Sequence, residues 1–93
     1  MVLIYTTCKD TTEAVKMGTE ILSDRLASAV NLWPMQSIRR THDNEVVSEL
    51  RAGMFIKTME PRIADIEELI AQHHGTDMPY IGAIDIRRFN RKY

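Results

Sequence analysis

"SAVNLWPMQSIRRTHDNEVVSELRAGMFIKT" (residues 28–58) decides how this chain folds. Its first arm, residues 28–40, alternates around Val30 and Leu32 before meeting Pro34, which withdraws a backbone donor. The arm therefore suits a sheet edge or a bulge at Trp33-Pro34. Residues 41–45, "THDNE", supply the turn, because Asp43 and Asn44 tolerate the left-handed conformations of a tight connection. The return arm, residues 46–58, places Leu50, Ala52, Met54 and Ile56 on one face and Arg51, Gly53, Phe55 and Lys57 on the other. Two arms of roughly 12 residues, against a usual ~5–6, make an unusually long hairpin.

Working outward, "VLIYTT" (2–7) is β-branched, aromatic and apolar on both faces, as a central strand is. A helix is expected over residues 10–28. Asp10 and Glu13 resemble a capping box at its start, and Ala14, Met17, Ile21, Leu22 and Leu26 recur at helical spacing. After the hairpin, residues 60–75 read as a second helix, with Pro61 in the first turn, Ile63, Ile66 and Ile70 as the buried stripe and Gly75 at its end. Residues 78–86 read as a last strand, with Ile84 and Ile86 on one face and Ile81 and Ala83 on the other.

The resulting order, β-α-β-β-α-β, is the α+β, ferredoxin-like arrangement: an antiparallel four-stranded sheet with two helices on one face. Ninety-three residues form one domain spanning 1–93. The second sheet face carries apolar residues with no intrachain cover, so the subunit is expected to oligomerise through its long hairpin.

Composition narrows the function classes. At 44% hydrophobic and 27% charged the chain is globular, and its formal net charge of −1 gives no overall drive toward nucleic acid or anionic membrane. The basic residues gather instead in the terminal "RRFNRKY" (87–93). The sheet lacks the aromatic pattern that stacks RNA bases, so nucleic acid is not an expected partner. No run approaches the ~20 apolar residues of a membrane span, and the N-terminal segment lacks the features of a signal peptide. A single cysteine excludes an internal disulfide framework, and a cytoplasmic protein is expected. There is no P-loop, dinucleotide fingerprint or HExxH motif, and no third residue orients a Cys–His pair, so no enzyme is expected.

"YTTC" (5–8), "RLASAVNLWP" (25–34) and "IKT" (56–58), in that order and with "HH…P" after the second helix, resemble the CutA divalent-cation tolerance family. The resemblance implies a ferredoxin-like subunit in a tight homotrimer, architecturally similar to PII signalling proteins, with a role in tolerance of copper or other divalent cations. Departures fall near the expected site. Arg39 and Arg40 stand where the family has aromatic residues in the hairpin. The family's "HPYExPE" becomes "HHGTDMPYI", with Thr76 at the tyrosine position and Tyr80 at the glutamate position.

The resemblance brings His73 and His74 forward as metal ligands, with Cys8 as a soft third donor favouring Cu(I). Adjacent helical residues point about 100° apart, so the two rings converge on one ion only where the helix has ended. The other reading is that they cap the helix through its last carbonyls. Cys8 is either a thiol activated beside a helix N-terminus or a small buried hydrophobe. A site joining it to His73 or His74 is expected to need a subunit boundary. His42 belongs to the turn, and Trp33 with Pro34 to packing. A second functional class is a PII-like regulatory module that holds a small anionic ligand at subunit clefts on Arg39, Arg40 and Lys57. Glu49 and Arg51 are further candidates for a polar cleft lining.

Overall fold

A computed structural model describes residues 1–74 and 78–90. The element order is β1 (Val2–Cys8), α1 (Thr11–Ser23), β2 (Ala29–Arg40), β3 (Val46–Thr58), a 3₁₀ turn (Glu60–Arg62), α2 (Ile63–His74) and β4 (Gly82–Asp85). The strands form one sheet in the order β2-β3-β1-β4, and every neighbouring pair is antiparallel. The ferredoxin-like arrangement read from the sequence is the one observed.

β3 spans the residues its alternation predicts, and β2 differs by one. β2 lies at the sheet edge, so Pro34, opposite Ala52, loses no ladder bond to a second neighbour. The connecting turn contains Asn44 at φ 64°. The Thr41 N–H donates to the Glu45 carbonyl at 2.8 Å and the Asn44 N–H to the Thr41 carbonyl at 3.0 Å.

The even-numbered residues of β1 and β3 face the helices. Ile4, Cys8, Ala52, Met54 and Ile56 pack with Ala14, Met17 and Ile21 of α1 and with Ile66, Leu69 and Ile70 of α2. Leu50 shares their parity, yet it is 75% exposed because the ribbon there has run past the helices. This projection stretches the subunit to 47 × 26 × 21 Å, with a radius of gyration of 14.1 Å. A compact domain of this length has a radius of about 12 Å.

Three boundaries differ from expectation. α1 stops at Ser23, five residues before the expected end at residue 28, because Arg25 adopts φ 58° and closes a Schellman motif. The Leu26 N–H donates to the Ile21 carbonyl and the Arg25 N–H to the Leu22 carbonyl, both at 3.0 Å. Leu26 still reaches the core, from the loop rather than the helix. The second helix opens as a 3₁₀ turn containing Pro61, and its stripe is Ile66, Leu69 and Ile70, with Ile63 at the margin. The last strand is four residues long, since its ladder with β1 runs only from Gly82 to Asp85. Before it, Tyr80 offers its carbonyl to the Thr6 hydroxyl at 3.0 Å. Gly75 and Thr76, and the basic residues Arg91 and Lys92, lie outside the described residues. Among the described residues, no helix is long and apolar enough to cross a membrane.

Candidate functional site

The site is built from the start of α1, the end of α2 and the exposed stretch of the hairpin. Asp10 caps α1 by accepting from the Glu13 N–H at 2.8 Å, and Glu13 turns back so that its Oε2 accepts from the Lys9 N–H at 3.3 Å. This leaves Oε1 of Glu13 facing α2. Glu20 follows seven residues later, two helical turns along the same face.

His73 and His74, in the last turn of α2, reach across to these carboxylates. Nε2 of His73 lies 2.8 Å from Glu20 Oε2, and because an ionised carboxylate only accepts, the ring carries a proton there. Nε2 of His74 lies 3.4 Å from Glu13 Oε1, near enough for an ion pair when the ring is charged. It has no hydrogen-bond partner among the described residues and is shut off from solvent. A buried polar atom left without a hydrogen-bond partner costs roughly 1–3 kcal/mol.

A cavity of about 550 Å³ opens here, lined by Thr7, Lys9, Glu13, Ser37, Arg39, Arg51, His73, His74, Met78 and Pro79. Thr7 and Lys9 flank Cys8. The end of β1 and the end of α2 therefore meet within one subunit, although Cys8 itself does not line the cavity they share.

Cys8 itself turns the other way. Strand alternation sends its side chain into the core with Ile4 and Thr6, where it is fully buried and its thiol donates to Met54 Sδ at 3.3 Å. Burial, reinforced by the charge of Glu13 and opposed by Arg51, pushes the thiol up from 9.0 to about 11. The small buried hydrophobe is thus the reading that fits, and activation by the helix terminus does not occur.

The remaining candidates are scattered. Arg39 lines the cavity and donates through Nε to Glu49 Oε1 at 2.9 Å, a bond that holds the Glu49 carboxyl below its usual range. Arg51 Nη1 is 3.8 Å from the same oxygen. Arg40 is exposed near the hairpin tip. Lys57 borders a separate cavity with Met1, Leu3, Ile86 and Phe89, near the start of β1 rather than its end. The anion-binding trio of Arg39, Arg40 and Lys57 is not gathered within one subunit. His42 sits in the exposed turn, and Trp33 packs against Tyr5 and Phe55.

Sequence reasoning passed over Glu13 as a functional residue, and it gave Lys9 no role. Glu13 was legible only as a cap, and its second task depends on where α2 ends in space.

Among the described residues, no three His, Cys, Asp or Glu side chains are grouped to hold a metal ion. The set Cys8, His73 and His74 does not converge. His74 with Glu13 does fit a cation in one respect: two donors on a tetrahedral ion with ~2.1 Å bonds are about 3.4 Å apart.

The comparison with known proteins agrees over the whole chain. "Divalent-cation tolerance protein CutA" of Pyrococcus horikoshii is 28% identical over 93 residues, covering 100% of this chain and 90% of that protein. The solved structure of the periplasmic divalent cation tolerance protein CutA from Archaeoglobus fulgidus superposes with a TM-score of 0.91 at 26% identity, covering 99% of this chain and 90% of that one. For divalent cation tolerance protein Cut A1 from Thermus thermophilus the TM-score is 0.90 at 27% identity, covering 100% and 91%. The profile described as CutA1 divalent ion tolerance protein matches residues 2–93, and the chain belongs to that family.

Proposed function

We propose that this protein is a non-enzymatic homotrimer of divalent-cation tolerance, working in a reducing compartment and taking a cation such as copper at His74 and Glu13. The observation that carries the reading is the buried Nε2 of His74, which has no hydrogen-bond partner among the described residues and lies 3.4 Å from Glu13 Oε1. Neutral imidazole and carboxylate are common donors for divalent first-row ions. His73 serves as a positioning residue, its ring tied to Glu20. Cys8 takes no part, since its sulfur is enclosed in the core.

The trimer rests on the ribbon. Ile38, Val46 and Leu50 share one face of it and are 70%, 68% and 75% exposed. A row of apolar side chains on a strand edge invites pairing with another copy. Replacing Leu50 and Ile38 together by Asp is expected to shift sedimentation from trimer to monomer; a wild-type chain that sediments as a folded monomer at micromolar concentration removes the trimer.

Calorimetric titration with Cu²⁺ and Zn²⁺ tests the site. His74→Ala and Glu13→Gln should each weaken binding 10-fold or more, whereas Cys8→Ser should leave it unchanged. Saturable binding that survives both of the first two substitutions, or is lost only with Cys8, would refute this assignment.

A further inference from the structure

Glu13 and His74 form only one corner of their cavity, and the remaining wall has the opposite character. Lys9, Arg39 and Arg51 bring three cations, and Thr7 and Ser37 bring two hydroxyls. Glu49 offsets part of this charge. It accepts from Arg39 at 2.9 Å but stands 3.8 Å from Arg51, an ion pair beyond hydrogen-bond reach. Among the described residues, the Lys9 ammonium has no ion pair and the Thr7 and Ser37 hydroxyls have no hydrogen bond.

Such a wall creates two difficulties for a bare cation. Three fixed positive charges repel it, against one lining carboxylate. Two protein donors also leave its coordination short, since divalent ions take four to six ligands or more. A small anion meets both. Its oxygens fill the open coordination positions, while its charge is matched by guanidinium and ammonium groups suited to carboxylate and phosphate. Size points the same way. A six-water shell occupies about 180 Å³ at ~30 Å³ per water, a third of the 550 Å³ present, whereas a cavity of 300–1,000 Å³ suits a small molecule.

We infer that the cavity takes its divalent cation together with a small polyanion, a polycarboxylate or a polyphosphate. The anion lies on Lys9, Arg51, Thr7 and Ser37, and the cation on Glu13 and His74. This rests on the cation reading given above and extends it: the recognised species is the metal–anion complex.

The test is titration of the full-length protein with Zn²⁺ at matched free-ion concentration, in a non-coordinating buffer, with citrate, and with pyrophosphate. At least one anion should tighten Zn²⁺ binding 10-fold or more; a gain with citrate alone identifies a polycarboxylate, and one with pyrophosphate alone a polyphosphate. In the Lys9→Ala/Arg51→Ala double variant that gain should vanish, while binding of Zn²⁺ alone should hold or tighten 2- to 5-fold because repelling charges are gone. A structural role for the two residues would weaken both conditions equally, and circular dichroism confirms that the variant folds. Equal Zn²⁺ affinity with and without either anion overturns the inference and leaves the cation reading standing. A gain that persists in the double variant also overturns it. Absence of Zn²⁺ binding in every buffer defeats the cation reading first, and the inference with it.

Discussion

The indole of Trp33 occupies the space a side chain at Gly53 would need: a Cβ there would stand 2.5 Å from Trp33 Cζ2. The two residues are register partners across β2 and β3, on the face away from the helices. Trp33 lies 5.2 Å from Phe55 and 6.5 Å from Tyr5 between ring centroids, so the indole has aromatic neighbours on its own sheet face. Gly53→Ala should therefore displace the indole and cost about 1–3 kcal/mol by overpacking. Trp33 is the only tryptophan, so its emission maximum should shift in the same variant. Unchanged denaturation midpoint and unchanged emission would show that the ring is not held there.

Cys8 should behave as a core residue. In the native protein its thiol should resist alkylation at pH 8 and react only after unfolding. The thiol is raised from 9.0 to about 11 on folding. The native state thus holds its proton more tightly, and that contribution is complete below pH 9. It is lost as pH rises through about 11, a loss on the order of 2 kcal/mol. Cys8→Ser, which buries a hydroxyl beside Met54, should destabilise by roughly 1–3 kcal/mol and flatten the alkaline decline. Rapid native alkylation at pH 8 would contradict this placement.

Arg25 closes the end of α1 with a positive φ that glycine adopts at less cost. Arg25→Gly is expected to raise stability by roughly 0.5–1 kcal/mol, read from the urea midpoint at unchanged slope. A loss of stability would mean that the arginine side chain contributes more than its backbone strain costs.

Glu49 reports on the hairpin's cross-strand ion pair. The hydrogen bond from Arg39 is the main cause of its lowered carboxyl, so the pair's contribution is present above the ordinary value of 4.5 and fades as pH falls through the lower folded one. Carboxyl NMR should place the Glu49 midpoint below 4.5, and Arg39→Ala should move it upward. An identical midpoint in the variant would show that Arg39 does not hold Glu49 in solution.

The hairpin is legible in the sequence because its signals are local. Alternation, the Asp43-Asn44 turn and the missing donor of Pro34 act within a few residues, and they located β3 without error. Asp10 as a cap and Pro61 in a first turn belong to the same class. Alternation also carried the fate of Cys8, which shares the parity of Ile4 and Thr6; the appeal of a helix terminus beside it obscured that.

What the order of residues determined on its own was the succession of elements, the family and the ribbon too long for one subunit to cover, since periodicity and turn chemistry are properties of neighbouring positions. The site was decided by the tertiary structure. His73 meets Glu20 across 53 positions of chain, and whether His74 finds Glu13, with Lys9 and Arg51 on the same cavity wall, depends on how two helices lie on a twisted sheet. Backbone propensities do not encode that geometry. It follows from packing the Ile66, Leu69 and Ile70 face of α2 against Met17 and Ile21, which brings the polar ends of both helices to one rim.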